Sequence, residues 1–222
     1  MNQPITSPML SKSAEWPAEI ECTPEEYLAH YAAEFYEYAD GKAIKMSPIH
    51  TRHNQLTRYL LRLFDSYNEL HPVGKIENAP FVMELPELGK SREPDIQIIL
   101  DTNPGHYTPT AMIGPADICI EIVSPESMQR DYTEKLEDYE KGGVGEYWIL
   151  DHLRRDARFY RQAERANPND PPLFISCPVD ADGNYRTPAL PGLVLHVPTL
   201  WRDPLPGVAE TYAMVEAMLK AE

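Results

Sequence analysis

The sequence predicts a fold of the α/β class, in which a mixed central sheet is flanked by helices. The main evidence is the stretch 116–151, where a buried strand, a helix and a second buried strand follow one another. These lengths are typical of a βαβ unit, whose right-handed crossover lays the helix on the sheet. The second observation is an apolar pattern over 56–67 with spacings of three and four, which indicates an amphipathic helix.

The composition is that of a soluble globular protein with a sizeable core. The chain has 222 residues, of which 42% are hydrophobic and 25% charged. No apolar run approaches the roughly 18 residues of a membrane span, so we expect no membrane association. The three cysteines are odd in number and form no CxxC pair. This pattern argues for a reducing cytoplasm and against a disulfide framework or structural zinc.

The two ends of the chain differ from its middle. Residues 1–22 lack a basic region followed by an apolar core, so they are not a secretory signal, and we expect a disordered leader. Apolar residues at helical spacing over 208–219 predict a terminal helix within 206–222. A helix at this place is also a candidate dimer contact, and we expect a homodimer.

The net charge of −15 restricts how the protein can bind nucleic acid. A protein that grips phosphates usually has a basic surface, so any such role here needs a local basic patch or screening metal ions. The candidate patch is a cluster of five arginines, Arg154, Arg155, Arg158, Arg161 and Arg165. They serve a nucleic acid or they pair with the acidic surface, and the sequence leaves both interpretations open.

The first elements have clear start and turn signals. Thr23, followed by Pro24 and by Glu26 three residues on, predicts a capped helix. Asp40-Gly41 lies between two aromatic and apolar stretches over 35–46, which predicts a β-hairpin. Glu37 lies on the first strand of this hairpin, where its pattern alone indicates a side chain that faces solvent.

The helix predicted from residue 50 to 68 begins with two histidines. His50 and His53 are three residues apart and could share a metal ion. Two histidines without a third ligand nearby are more often polar partners or a cap. His50 is still placed to reach a site at this end of the helix.

Two acidic residues stand at unusual places in predicted strands. After a less regular strand over 73–85, Pro94 fixes the entry to a sharply apolar strand, and Asp95 follows it at the mouth of the sheet. Beyond a Pro- and Gly-rich loop over 101–115, Glu121 interrupts a second apolar strand. A carboxylate there is costly unless a cation satisfies it, although an edge-strand side chain facing solvent is an equally good interpretation. If the strands are neighbours, the two acids can share a cation.

The helix that follows carries a lysine. The run 133–141 has strong helix formers and ends at Gly142-Gly143. Lys135 lies one turn after Asp131, so its ordinary role would be an i, i+4 ion pair.

Together these motifs resemble the PD-(D/E)XK nuclease superfamily and, within it, the Uma-two family of restriction-type endonucleases. The resemblance covers about residues 23–205 and is carried by the following motifs: Tyr36-Glu37 with Asp40-Gly41, Ser47-Pro48 with His50, Pro94-Asp95, Glu121 to Pro125, Asp131, Lys135, Tyr139, the run 143–151 and 191–193. It implies a restriction-endonuclease-like sheet of roughly four to six strands. Val123 occupies the position where the superfamily has its lysine, and in the family pattern Lys135 on the helix takes that place.

The resemblance implies hydrolysis of phosphodiester bonds in nucleic acid, with DNA as the expected substrate. Mg²⁺, or Mn²⁺ as a substitute, would be held by Asp95, Glu121 and the backbone carbonyl of Ile122. Lys135 would position the attacking water or neutralise charge on the phosphate, and Glu37 would be an outer ligand. The alternative is a module of the same fold that binds a partner and does not catalyse. The net charge favours that alternative, whereas the coincidence of the two acids and the lysine favours the enzyme.

Overall fold

The computed structural model describes residues 19–34, 36–45, 50–165, 167 and 170–221. Its helices are α1 Pro24–His30, α2 Thr51–Leu70, α3 Met128–Tyr132, α4 Glu134–Gly142 and α5 Val208–Lys220. Its strands are β1 Glu19–Glu21, β2 Tyr36–Ala39, β3 Lys42–Lys45, β4 Gly74–Asn78, β5 Val82–Leu85, β6 Lys90–Arg92, β7 Ile96–Leu100, β8 His106–Tyr107, β9 Ala111–Ile113, β10 Ile118–Ile122, β11 Glu146–Asp151, β12 Asp156–Gln162, β13 Phe174–Ser176, β14 Asn184–Arg186 and β15 Val194–His196.

The central sheet contains the predicted βαβ unit. Within the described ranges it has six strands in the order β13-β12-β11-β10-β7-β4. Strands β10 and β11 are parallel, while β7 pairs with β10 in the antiparallel direction, so the sheet is mixed. Helices α3 and α4 form the crossover between β10 and β11. The α/β class and this unit are therefore confirmed.

The two faces of the central sheet pack against different layers. Ile118, Ile120 and Ile122 lie in a core with Leu60 and Phe64 of α2. The alternate positions on β10 lie on the opposite face, as the period of two in a strand requires. That second core also contains Tyr139 of α4 and apolar side chains of β5 and β9. Glu121 belongs to the alternate set, so it faces α4.

A second sheet, which the sequence did not predict, covers the face on the side of α4. Among the described residues it has seven strands in the order β1-β3-β2-β6-β5-β9-β8. The predicted hairpin is confirmed as β2 and β3, because Asp40 and Gly41 both have the positive φ angles of its tight turn. This hairpin and α1 share a small aromatic core that contains Tyr27 and Tyr36.

Two predicted segments have more structure than the sequence indicated. The single strand expected over 73–85 is two strands, β4 and β5, which belong to different sheets. The expected loop over 101–115 contains β8 and β9, which add to the edge of the second sheet. These short strands are formed by pairing with distant strands, and their sequences have little periodicity of their own.

The ends of the chain compare with the predictions as follows. Residues 19–21 of the predicted leader form β1, which pairs with β3, and residues 1–18 lie outside the described residues. The predicted terminal helix is confirmed as α5, which packs against α2 of the same chain through Val215. In the part of the chain described here, no helix has the length and apolar character needed to cross a membrane.

Candidate active site

A buried lysine joins the acids of the two sheets. Lys135 lies on α4 with a side chain that is 3% exposed. Its Nζ is 2.9 Å from Oε1 of Glu37 on β2 and 2.8 Å from Oε1 of Glu121 on β10. The i, i+4 contact to Asp131 also exists, at 3.8 Å. The structure therefore brings three of the predicted site residues together, because α4 lies between the central sheet and the hairpin.

Glu37 is fully buried, so the interpretation of a solvent-facing strand residue is wrong. Lys135 of α4, Arg92 of β6 and Arg130 of α3 pack against its carboxylate, and they cover the face of β2 that a lone hairpin would expose. Oε2 of Glu37 lies 3.4 Å from Arg92 and 3.6 Å from Arg130. Burial raises the pKa of Glu37, but the charges of Lys135, Arg92 and Arg130 outweigh it and lower the pKa to about 2.

Arg92 connects Glu37 to a further acid on α4. Its Nη2 is 2.6 Å from Oδ2 of Asp138, and its Nε also donates to that oxygen. Lys90 contacts the same carboxylate through Oδ1 at 2.8 Å. Arg92 has no exposed side-chain surface. A buried cation of this kind is tolerated because each charge has a partner of opposite sign with hydrogen-bonding geometry.

Glu121 has a different electrostatic environment from Glu37. Tyr139 donates a hydrogen bond of 2.8 Å to Oε1, the same oxygen that Lys135 contacts. Burial raises the pKa of Glu121; Lys135 lowers it, while the neighbouring charges of Asp95 and Asp131 raise it further. The net direction is upward. One ammonium is not enough to offset burial among several carboxylates.

Asp95 lies beside Glu121 at the end of the strand pair. The register Ile120↔Ile96 between β10 and β7 would place Asp95 opposite Glu121 if continued by one residue. Oδ2 of Asp95 accepts the backbone N–H of Ile122 at 2.7 Å. Its side chain is 20% exposed. Asp95 thus contacts the amide of Ile122, whereas the predicted ligand is the carbonyl of that residue, and Asp95 contacts neither Lys135 nor Glu37.

The two histidines at the start of α2 contact different carboxylates. His53 lies 3.0 Å from Oδ2 of Asp95, and His50 lies 3.3 Å from Glu126. Burial lowers the pKa of His53, but the hydrogen bond and charge of Asp95 outweigh it and raise the pKa. The two rings therefore contact separate acids, and His53 holds Asp95 from the side of α2.

Asp131 on α3 completes the acidic side of the site. Ser127 donates a hydrogen bond of 2.5 Å to its Oδ2, while Oδ1 is buried without a hydrogen-bond partner among the described residues. Burial and the charge of Asp95 raise the pKa of Asp131, although Lys135 and Ser127 lower it. The ammonium of Lys135, at 3.8 Å, is too far from Oδ1 for a hydrogen bond, so this buried oxygen still lacks a donor.

The donor set fits a hard divalent cation. Protein contacts to Glu121 from Lys135 and Tyr139 use only Oε1, and those to Asp95 from Ile122 and His53 use only Oδ2. These contacts leave the second oxygen of each acid unused, and carboxylate oxygens are the ligands that Mg²⁺ prefers. Within the described ranges no three His, Cys, Asp or Glu side chains are grouped so as to enclose an ion.

A further buried acid, Glu93, escaped the sequence analysis. It lies next to Pro94, is 1% exposed, and accepts a hydrogen bond of 2.7 Å from Tyr27 of α1. Burial raises its pKa to about 8, and the negative charge of Glu37 adds to that rise. The sequence also gave no role to Arg92, Asp138 or Arg130. Their only signal was charge within otherwise ordinary strand and helix patterns.

The arginine cluster is mostly paired with acids. Arg154 contacts Asp151, Arg158 contacts Asp156, and Arg161 contacts Glu146 at 2.7 Å. Arg165 donates to the backbone carbonyl of Asp170. The structure therefore favours pairing with the acidic surface for Arg154, Arg158 and Arg161, whereas Arg155 has no such contact among the described residues. The Ser47-Pro48 motif lies outside the described residues.

Comparison with known proteins agrees with the resemblance seen in the sequence. The fold is similar to a crystal structure described as a putative nuclease belonging to DUF820 from Anabaena variabilis ATCC 29413. That match has 20% identity and a TM-score of 0.63, and it covers 81% of this chain and 97% of that one. No curated protein matches the chain. Residues 24–197 match the Uma2 family, described as putative restriction endonuclease, and because this is most of the chain, the protein belongs to that family.

Proposed function

We propose that the protein is a metal-dependent endonuclease that hydrolyses phosphodiester bonds of DNA. The observation that carries this proposal is the contact of buried Lys135 with Glu121, beside Asp95 at the end of the neighbouring strand. An acid on each of two paired strands, with a lysine at one of them, is the combination that the family resemblance requires. Family membership supports the same conclusion.

Asp95, Glu121 and the backbone carbonyl of Ile122 would hold Mg²⁺ or Mn²⁺. The unused carboxylate oxygens and the raised pKa of Glu121 support this assignment, since a cation would supply the positive charge that Glu121 lacks. When bound, the ion would lower the pKa of a water molecule and stabilise the charge on the phosphate. His53 would keep Oδ2 of Asp95 in place, as outer hydrogen-bond partners of metal ligands do.

Lys135 would act as a fixed positive charge. Burial lowers its pKa, but Glu121, Glu37 and Asp131 outweigh this and raise the pKa, so the amine stays protonated at neutral pH. A protonated amine cannot accept a proton from water. It can donate hydrogen bonds to a water molecule or to a phosphate oxygen and offset the charge that develops there.

Glu37 would position Lys135 and not bind the ion. The predicted role of outer ligand requires free oxygens, whereas Oε1 contacts Lys135 and Oε2 faces Arg92 and Arg130. Its lowered pKa keeps it ionised. A permanently charged Glu37 therefore fixes the ammonium of Lys135 at its distance from Glu121.

The test is cleavage of plasmid, linear and single-stranded DNA by the purified protein with Mg²⁺ or Mn²⁺. Lys135→Met should remove cleavage, because it deletes the charge and keeps most of the side-chain volume. Lys141→Met is the matched control, since Lys141 lies on the same helix with a side chain 56% exposed. Cleavage that persists in Lys135→Met at the wild-type rate would refute the assigned role.

The alternative function is a partner-binding module without catalysis. It is favoured by one observation: Lys135 contacts both Glu37 and Glu121, so each of these buried acids already has a cationic partner without a metal ion. Melting temperature separates the two functions. If the protein is a metal-dependent enzyme, Mg²⁺ or Mn²⁺ should raise its melting temperature, and Asp95→Asn should abolish that rise. The control variant Asp101→Asn, at an exposed site, should still show the rise. The absence of any rise would favour the module.

Two assembly-level expectations remain predictions. A homodimer that uses α5 can be tested by sedimentation of the full chain, with Tyr212→Ser as a surface variant, since Tyr212 is 37% exposed. The cytoplasmic location expected from the three cysteines can be tested by fractionation. The cysteines Cys22, Cys119 and Cys177 are all unpaired in the structure.

A further inference from the structure

A groove along α2 concentrates positive charge in a chain that is acidic overall. Two adjoining depressions of about 360 and 230 Å³ share the side chains of Gln55 and Asp203. The cationic residues that line them are Arg52, Arg58, Arg62 and Arg155, and His152 lines the larger one. Asp203 is the single carboxylate among the described lining residues. The net charge of −15 makes this local excess of cations distinctive.

The arginines of the groove differ in what they already bind. Arg52 donates to the backbone carbonyls of Leu200 and Arg202, and Arg62 donates to that of Pro206. These two arginines therefore hold the segment 200–206 against α2. Arg58 and Arg155 are exposed, and neither has a hydrogen bond or ion pair to another described residue. These two guanidinium groups are therefore available to an incoming anion without breaking an existing contact.

The groove has other unsatisfied donor groups. Nε of Arg62 and Nδ1 of His152 are buried, and within the described part of the chain neither has a hydrogen-bond partner. Buried polar atoms are rarely left without a partner, so each marks a place where a further group is expected. Both atoms can donate, and a rotation of either side chain would bring its donor to an acceptor in the groove, such as a phosphate oxygen.

The groove begins at the catalytic end of α2. Arg52 precedes His53, whose ring contacts Asp95 at 3.0 Å. His152 follows β11 directly, and Leu150 of that strand pairs with Ile122 of β10, so the groove begins at the same end of the central sheet as the two acids. From there the lining residues continue along the helix through Gln55 and Arg58 to Arg62. A chain that runs along the groove therefore reaches the candidate active site at one end.

We infer that this groove binds the phosphodiester backbone of the nucleic acid substrate and leads it to the site at Asp95 and Glu121. Successive guanidinium groups on one helix face match the regular charges of a phosphate backbone, and arginine binds phosphate with paired donors. The contacts are to phosphate and not to base edges, so they provide affinity without sequence preference. This inference rests on the proposed nuclease function for the identity of the ligand.

The experiment measures binding of a fluorescently labelled DNA duplex by anisotropy in Ca²⁺, with the intact probe checked on a gel. The variants are Arg58→Ala, Arg155→Ala and the double variant, and the control is Arg186→Ala, an exposed arginine on β14. Salt is varied between about 50 and 200 mM, since each phosphate contact adds about one to the slope of log K against log salt. All variants should keep the wild-type melting temperature.

We expect each single variant to weaken binding several-fold and the double variant to lower the salt slope by about two. Arg186→Ala should leave both quantities unchanged. Asp203→Asn should have the opposite effect and tighten binding, because it removes the negative charge that faces the same groove. A gain of affinity cannot come from damage to the fold.

The proposed role of the groove would be overturned if the double variant had the wild-type affinity and salt slope. It would also be overturned if Asp203→Asn had the wild-type affinity. The cleavage assay reports separately on the proposed function. If the wild type cleaves DNA and the double variant has an unchanged salt slope, the groove proposal is rejected and the nuclease proposal stands. If the double variant has a reduced salt slope but the wild type does not cleave DNA, the groove proposal stands and the nuclease proposal is rejected. If the wild type does not bind the DNA duplex at all, the proposal that the groove binds its backbone is rejected. This conclusion holds even if the groove binds another nucleic acid or an acidic protein.

Discussion

Lys135 separates two regions of the buried cluster that have the same kind of acid and opposite electrostatics. On one side, Glu37 has three cations within 3.6 Å, and its pKa is lowered. On the other side, Glu121 shares a single cation with Asp131 and lies near Asp95, and its pKa is raised. Both glutamates are buried and contact the same ammonium.

The difference shows that burial alone does not assign a function to an acid. The negative charge of Glu37 is balanced by cationic side chains of the protein itself. The ion pairs of Glu37 therefore hold the hairpin, β6 and α4 together. The side of Glu121 lacks positive charge, which is the condition that a bound divalent cation relieves. We therefore assign stability to the first side and chemistry to the second, and the following predictions test that division.

The largest effect should come from Glu121→Gln. It removes a proposed metal ligand, so cleavage should fall by more than about 100-fold, because loss of an outer partner of a ligand already costs about 10–100-fold. The melting temperature at neutral pH should stay the same or rise, since the glutamine resembles the protonated form that burial favours. The measurements are Mg²⁺-dependent cleavage and thermal unfolding, with Glu87→Gln on the surface as the control.

The melting temperatures of the wild type and Glu121→Gln should also differ in their pH dependence, which gives a second check. The folded-state pKa of Glu121 lies above its ordinary 4.5, at about 8. The stability linked to its protonation is therefore full below pH 4.5 and is lost as pH rises towards 8. Across that window the advantage of Glu121→Gln in melting temperature should grow, and Mg²⁺ should stabilise the wild type increasingly. A constant difference across the window would contradict the raised pKa.

Glu37→Gln should have the reverse pattern. The pKa of Glu37 is lowered from 4.5 to about 2, so the charged form contributes about 3 kcal/mol at neutral pH. That contribution is present above pH 4.5 and is lost as pH falls towards 2. Urea unfolding of the variant and the wild type should differ by about this amount at pH 7, and the gap should narrow in acid. If Glu37→Gln is as stable as the wild type at pH 7, the two sides are not distinct.

His53→Gln should affect the metal requirement and leave stability almost unchanged. His53 holds Oδ2 of Asp95, and loss of such a partner typically costs about 10–100-fold in metal affinity or activity. The midpoint of a Mg²⁺ titration of cleavage should rise accordingly. The control is His50→Gln on the same helix end, which contacts Glu126 and should leave the midpoint unchanged. Equal shifts in both variants would indicate a general change at this helix end.

The smallest effect should come from Tyr139→Phe. It removes the hydrogen bond to Oε1 of Glu121, at a cost of about 1 kcal/mol. The hydroxyl stabilises the charged carboxylate, so its loss should move the rising limb of the pH profile of cleavage to higher pH. Tyr147→Phe loses a comparable bond to the backbone carbonyl of Asp131 and serves as the control, since it should lower stability without moving the profile.

Some elements could be predicted from the sequence because their causes are local. The capping box of Thr23 and Glu26 forms between residues three apart. Asp40 and Gly41 determine a turn of the hairpin, and Gly143 ends α4 with a left-handed φ of 82°. The βαβ unit follows from periodicity within each segment. Asp95, Glu121 and Lys135 could be named as candidates because they match the pattern of the family, in which the lysine lies on the helix and not at the position of Val123.

The environment of those residues was decided only by the tertiary structure. Arg92 and Glu37 are 55 positions apart in the chain, Arg92 and Asp138 are 46 apart, and His53 and Asp95 are 42 apart. Pairs at such separations have no local pattern, and a charged residue in a strand has the same sequence signal whether its partner is water or a buried cation. Sheet pairing and the position of α4 set which charges meet. The sequence thus determined which acids and which lysine are present, and the packing of two sheets around one helix determined which acid is balanced and which still lacks positive charge.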